Sequence, residues 1–481
     1  MQQVTSKDVL ANEKPDKSLK LSFGKSLFAF IFVGPIWLAF LQVSLTEILN
    51  NQIVLMQVVL MIVSSLMFTL EFRKPKPSPL VLVIWVFNCG VVGVPGLSQI
   101  LADAFPWPLI VESGNLLLAQ VCTLIASVFL ILVLEAPHKQ KPQNSISRNL
   151  DRIRVRNLTL LMVPTLLYAI RSGGGIKSFF SSRGAISAAK SAAGLTKAQS
   201  GLFVTGTQAL VLLVCVSAIL LRKKNPKDPI ANVALALSSV GLLILANPLS
   251  ASRFWFFTVL TTVSIATLTL TPGRIRTGAM TLFFGSMFVF PLADYFRRSD
   301  RTFGSVGTSA WLTGDFDALQ ITGAGIQWFQ ENGAVWGHQL LGAMFPVIPR
   351  SIWTGKPIDT GIMIAQFNGM KFDNISGPWV SEGIINFGFL GVLIFPFMIG
   401  YLFRIVKFRS ELFPDDFGTI LNAFLVGYLP ILMRGSLIQA SGAAGIFTIY
   451  VWYATPKVRE KSNQPPISPG NTQALQLKKV A

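Results

Sequence analysis

Residues 53–76, IVLMQVVLMIVSSLMFTLEFRKPK, decide the fold. Eighteen residues pass from Ile53 to Leu70 without a charge, and then Arg73, Lys74 and Lys76 arrive together. An uncharged apolar run of about 18 residues is long enough to cross a bilayer as a helix. A basic cluster at its end marks the side that stays with the cytoplasm. The same unit recurs along the chain. Apolar stretches at 26–44, 53–70, 79–97, 114–134, 157–170, 201–221, 230–246, 254–271, 278–293, 384–403, 417–433 and 436–454 predict an all-α polytopic membrane protein with about twelve transmembrane helices. The 481 residues are 51% hydrophobic and only 13% charged, where a soluble globular protein carries roughly a quarter charged residues.

Charge orients the bundle. With the N-terminus in the cytoplasm, inner segments hold 28 Lys and Arg and outer segments 13, while acidic residues divide 11 and 11. The net charge of +19 is then mostly a positive-inside signal. No basic face alternates with aromatics, so nucleic acid is excluded as a partner. Cys89, Cys122 and Cys215 fall within spanning segments and have no ligand spacing, which suits small packing residues. The first apolar run is too long, and lacks the small-x-small exit, for residues 1–25 to be a cleavable signal. These residues are expected to form a cytoplasmic N-terminal segment. Residues 26–461 form one membrane domain, and 462–481, rich in Pro, Ser, Asn and Gln, a disordered cytoplasmic tail. No internal repeat argues for a transporter built from duplicated halves.

Two outer segments break the pattern of short, uncharged loops. Residues 171–200 carry Arg171, Lys177, Arg183, Lys190 and Lys197 and no acid. The spacing of seven from Arg183 to Lys197 predicts an amphipathic surface helix with a cationic stripe, suited to lipid headgroups or to an anionic substrate. The segment 294–383 is too long for a simple connector. It holds Arg297, Arg298, Arg301, Arg350, Lys356 and Lys371, and five of the ten tryptophans: Trp311, Trp328, Trp336, Trp353 and Trp379. Helical apolar spacing covers 314–331 and 334–345, with turns at 348–350 and 355–357. The segment is expected to fold back onto the membrane surface and into the bundle. Its tryptophans suit either an interfacial belt or sugar stacking.

Cations at the outer mouth of a bundle suit a phosphate-bearing lipid, since Arg binds phosphate oxygens in a bidentate, charge-assisted way. Arg171, Arg253, Arg297 and Arg434 lie close to helix ends. Snorkelling toward headgroups is the expectation for Arg253, whereas Arg434, in a very short turn, is an even choice between that and the site. Asp315 and Asp317 stand at a helix start, with Asp315 a possible N-cap. Glu382 sits where the outer loop enters a helix, a costly place for a carboxylate unless paired or used, with Asn386 one turn on; an ion pair with an arginine of the same loop is the structural alternative. His338 is the only outer histidine, able to carry a proton but more often a packing residue. No His, Cys or carboxylate cluster has metal spacing.

The block from Asp315 to Gly400 resembles the bacterial O-antigen polymerases, also called oligosaccharide repeat unit polymerases. The resemblance rests on Gly314-Asp315-Phe316-Asp317, Pro346-Val347-Ile348-Pro349-Arg350, Trp353-Thr354-Gly355-Lys356-Pro357, Ser381-Glu382-Gly383 and Asn386-Phe387-Gly388, with Gly391 and Gly400 beyond. It covers about a fifth of the chain in detail. It implies a GT-C-like bundle with one large external loop in the bacterial plasma membrane, both termini cytoplasmic and the site on the external side. The implied reaction moves a glycan from one polyprenyl diphosphate carrier onto the end sugar of a second lipid-linked repeat, making O-antigen or another surface polysaccharide. Donor and acceptor are then polyprenyl-diphosphate-linked oligosaccharides, and a chain-length regulator and a flippase are expected partners. Arg171, Arg350 and Lys356, with Arg297, Arg301 and Arg434 in reserve, are the expected diphosphate ligands. Asp315, Asp317, Glu382 and His338 are the pool for a base or an acceptor-orienting group. No cofactor or metal is expected, since arginines can hold the departing charge. An O-antigen ligase would share these features, and a transporter or flippase of lipid-linked sugars is the other alternative, although few charges lie deep within the helices.

Overall fold

The computed structural model describes residues 23–137, 147–172, 175–180, 197–247, 251–292, 311–346, 348–372, 374–412 and 415–457. Among them the chain is helical throughout, with no strand beyond one isolated bridge, Arg148 to Lys457. Sixteen helices carry the argument: α1 Phe23–Val33, α2 Gln52–Arg73, α3 Pro79–Phe87 (continuing to Leu101), α4 Ser113–Glu135, α5 Arg152–Ser172, α6 Lys197–Lys224, α7 Pro229–Leu245, α8 Arg253–Thr267, α9 Pro272–Phe284 (continuing to Leu292), α10 Ala318–Asn332, α11 His338–Met344, α12 Thr360–Phe367, α13 Trp379–Phe387, α14 Gly391–Leu412, α15 Asp416–Arg434 and α16 Leu437–Ala454.

All twelve expected spans are helical, but not all are long. Nine are long and apolar enough to cross a membrane among the described residues. The first is broken instead. Gly34 and Pro35 end α1, and two short helices follow, Ile36–Phe40 directly after Pro35 and Leu45–Asn50 opened by a Ser44–Glu47 capping box. Helices α7 and α8, at 17 and 15 residues, fall short of a full span. The expected loop 294–383 also ends earlier. Helix α13 begins at Trp379, so Glu382 lies in its first turn and not in the approach to it. The cationic stripe predicted at 183–197 lies mostly outside the described residues. Lys197 itself opens the long helix α6.

The surface confirms the environment. Leu132, Leu160, Leu243, Leu402 and Ile449 point outward from the helices and are each more than half exposed. Such a belt of large aliphatics has no aqueous solution, so the protein is embedded in a membrane. Inside the bundle, small residues let helices meet closely. Gly427 of α15 lies against Thr258 of α8, whose hydroxyl donates to the Gly427 carbonyl at 2.9 Å. Gly400 of α14 lies against Val133 of α4, and Gly241 of α7 against Val211 of α6. A π-turn at Asn88–Gly93 widens α3, and the buried Gln57 amide donates to the Val92 and Gly93 carbonyls, both at 2.8 Å.

The two ends of the bundle differ. At one end Asp415 and Asp416, where α15 begins, bind Arg409 at 2.6 Å and Lys224 at 2.5 Å, and Arg152 meets Asp228 at 2.9 Å. At the other end α15 stops at Arg434 and α16 starts three residues on, and the segment 311–378 folds onto that joint.

Candidate functional site

The joint Arg434-Gly435-Ser436-Leu437 is a hub. The Arg434 guanidinium donates to the Gly314 carbonyl and pairs with Asp317 at 3.1 Å, and its own carbonyl accepts from Gly377 N–H at 3.2 Å. The Ser436 hydroxyl donates to Asp359, and Leu437 N–H donates to Glu382 Oε1 at 2.8 Å. Three residues of one tight turn, Arg434, Ser436 and Leu437, thus hold Gly314, Asp317, Asp359, Gly377 and Glu382. Gly377 is required there, since a Cβ would stand 2.8 Å from that of Ser436.

Helix α8 supplies the second cation. Arg253 begins it, and close packing of α8 on α15 brings Arg253 beside Arg434. Arg434 lies over the Phe254 ring at 5.3 Å and Arg253 over Phe290 at 5.9 Å. Arg253 does not snorkel, as its helix-end position predicted. It is 2% exposed and pairs with Asp315 at 2.5 Å. The reason is the re-entrant segment: Thr313-Gly314-Asp315-Phe316-Asp317 covers the helix end and supplies a counter-charge, which makes burial of a cation tolerable. Asp315 is therefore not an N-cap. It sits in a 3₁₀ turn, Gly314–Phe316, and Asp317 precedes α10 without capping it through its side chain.

Asp317 is fully buried and multiply bound. Trp107 Nε1 donates to Oδ2 at 2.8 Å, Ser376 N–H approaches the same atom at 3.3 Å, and Arg434 holds Oδ1. Gln99 fixes the turn before it by donating to the Trp311 and Phe316 carbonyls at 2.8 and 3.0 Å. Two aspartates and two arginines therefore form a nearly neutral cluster. Access to it is unequal: the side chains of Arg434 and Asp315 are 19% and 17% exposed, those of Arg253 and Asp317 2% and 0%.

Glu382 reaches the same joint from α13. Its carboxylate faces the first N–H of α16, where the helix dipole favours negative charge. The structural alternative, an ion pair with an arginine of the same loop, is not made among the described residues. Asn386 donates to the Glu382 carbonyl at 2.8 Å and accepts from Leu340 N–H at 3.1 Å, so it clamps α11 to α13. Asp359, which the sequence did not single out, caps α12 by accepting from Gly361 N–H at 3.0 Å and also accepts from Ser436. Burial pushes its carboxyl above the usual range, against the pull of these hydrogen bonds.

The other expected site residues lie apart from this cluster. Arg350 donates to the Lys356 and Pro357 carbonyls at 2.5 and 2.9 Å, and Lys356 donates to the Pro346 and Ile348 carbonyls at 2.7 and 2.8 Å. The motif residues thus knit their own loop. Burial among those carbonyls, with the Arg350 charge alongside, holds the Lys356 ammonium below its usual value. His338 opens α11, is exposed, and sets its ring edge-on to Trp353 at 6.1 Å. Arg171 is exposed in the last turn of α5. Arg297 and Arg301 lie outside the described residues. Of the five tryptophans, Trp311 and Trp379 are core, at 4% and 2% exposure, and Trp336 stands out at 77%. Trp311 and Trp379 are thus packing residues.

Among the described residues no three His, Cys, Asp or Glu side chains converge as metal ligands do. The three cysteines are free and buried. Comparison with family models, with curated proteins and with solved structures finds no match to this chain.

Proposed function

We propose that the chain is a lipid-linked oligosaccharide polymerase, a glycosyltransferase acting at the external face of a bacterial plasma membrane. One observation carries the reading. Arginines from the ends of two bundle helices, α8 and α15, meet the two aspartates of Gly314-Asp315-Phe316-Asp317, and within that set the side chains of Arg434 and Asp315 keep 19% and 17% exposure. This segment is also the first of the motifs that carry the resemblance to O-antigen polymerases.

In this reading the acceptor sugar hydroxyl lies against Asp315, and the donor diphosphate against Arg434. The hydroxyl oxygen forms a bond to the anomeric carbon of the donor glycan as the bond from that carbon to the diphosphate oxygen breaks. Asp315 takes the hydroxyl proton, and the leaving polyprenyl diphosphate keeps the electron pair. Its growing negative charge is met by the Arg434 guanidinium. Arg253 holds Asp315 in place, and Asp317, bound on three sides, positions Arg434. Positive-inside charge counting supports an external position for this end of the bundle, the side on which lipid-linked repeats would be met.

Asp315→Asn tests the assignment. It keeps the side-chain volume and removes the base. Expressed in cells lacking the native protein, it should give surface acceptors capped by single repeats, with membrane protein levels unchanged. Long glycan chains from Asp315→Asn overturn the role of Asp315. Loss of single-repeat capping as well would favour a ligase.

A further inference from the structure

A second feature lies away from the joint. Helix α8, at 15 residues, spans only about 22 Å, less than the hydrocarbon core of about 30 Å. The chain turns back through Leu268 to Thr271 before α9. Behind this short helix is a cleft of about 710 Å³ between α3, α8, α9 and α15, lined by Pro79, Phe257, Leu260, Leu268, Leu282 and Val426 among others. It is open on the side of Leu260, Leu268 and Leu270, which are 41–48% exposed. A cleft of this size and apolarity, open at its apolar side, is suited to a hydrocarbon chain.

Charge says which hydrocarbon. Arg274 lines the mouth and is exposed, its Nη1 donating to the Thr269 carbonyl at 3.0 Å. Arg276 donates to the Phe72 and Lys74 carbonyls, both at 2.8 Å, which fastens the start of α9 to the basic loop after α2. Arg73 and Lys76 of that loop are exposed, while Lys74 is paired with Glu71 at 2.5 Å. One cation, Arg274, therefore stands at the mouth of an apolar slot, and Arg276 ties the same helix start to the basic loop after α2. That combination is complementary to a phosphate headgroup with an acyl chain beneath it.

We propose that this cleft is a specific site for one anionic phospholipid, an acyl chain lying along α8 and the phosphate against Arg274, on the leaflet opposite the Asp315 cluster. The lipid completes the packing that α8 is too short to supply. This site does not rest on the polymerase reading, since none of its residues belongs to the Asp315–Arg434 cluster.

The test is native mass spectrometry of the full chain reconstituted with equal amounts of phosphatidylglycerol and phosphatidylethanolamine. The wild type should retain one phosphatidylglycerol at least about fivefold over phosphatidylethanolamine. Arg274→Gln should bring that preference below about twofold while still retaining a lipid. Ser264→Trp, which fills the cleft, should lose the bound lipid of either kind, and Ser264→Leu provides a milder filling variant if tryptophan prevents folding. Equal retention of both lipids by the wild type, unchanged preference in Arg274→Gln, or a polyprenyl phosphate as the retained molecule each overturn the proposal.

Discussion

Removing the Arg434 guanidinium should cost far more than removing any surface arginine, because the Asp317 carboxylate would be left in the interior without its ion-pair partner. Asp317 is 0% exposed and meets Arg434 at 3.1 Å. Breaking a buried pair from one side costs about 3–5 kcal/mol, since the orphaned charge keeps its desolvation penalty. Replacing both partners removes the charge as well as the bond and costs much less than the sum. Arg434→Leu and Asp317→Leu should therefore each lower stability by about 3 kcal/mol or more, and the double variant should recover at least about 2 kcal/mol of the expected total. The Trp107 and Ser376 donors, which lose their acceptor in Asp317→Leu, limit the recovery. The assay is reversible unfolding in mixed micelles, followed by tryptophan fluorescence, for both single variants and the double. Additivity within about 0.5 kcal/mol would refute the pairing and the hub built on it.

Arg253→Ala should destabilise the protein severely while Arg171→Ala leaves it within about 0.5 kcal/mol of wild type, because only Arg253 is buried and paired; thermal melts of the two variants separate the cases. Asp359 has a folded-state carboxyl raised above its ordinary value of 3.8, so the folded chain binds the proton more tightly than the unfolded one. Its contribution is complete below that value and is lost as pH rises through the raised one. Asp359→Asn, which keeps the cap acceptor, should flatten this part of the stability profile above about pH 4, measured by unfolding at a series of pH values. Gly391→Ala should abolish accumulation of folded protein, since a Cβ there would fall 1.7 Å from the Gly383 carbonyl oxygen, while Gly442→Ala, with nothing within 4 Å, should accumulate normally in a membrane-fraction blot.

The helices were legible because lipid imposes one rule everywhere: long apolar runs with basic residues at alternate ends. All twelve positions are helical, and the three that fall short do so where the sequence carries a breaker or a shorter run. Gly34-Pro35 splits the first, and α8 ends just before Thr269-Leu270-Thr271-Pro272. The site was half legible. Asp315, Asp317 and Glu382 stood out because a carboxylate at the mouth of an apolar helix needs a reason, and all three gather at the α15–α16 joint. The burial of Arg253 is not legible, because helix-end position alone does not reveal that residues sixty places further on will cover it. Asp359 and Trp107 escaped notice for the same reason: Asp359 looks like an ordinary helix cap, and Trp107 belongs to a short loop between α3 and α4. Arg350 and Lys356 drew attention as cations in a motif, but a loop rich in proline has spare carbonyls, and those two side chains satisfy them.

The account depends most on the Asp315–Arg434 cluster handling a diphosphate-linked glycan. The measurement that tests it directly uses wild-type protein and Asp315→Asn in proteoliposomes, supplied with the lipid-linked repeat units extracted from the source cells. The account predicts a ladder of glycan lengths and release of polyprenyl diphosphate from wild type, and single repeats with no release from Asp315→Asn. A wild-type reaction that leaves every repeat single, or a variant that makes the same ladder, would contradict it.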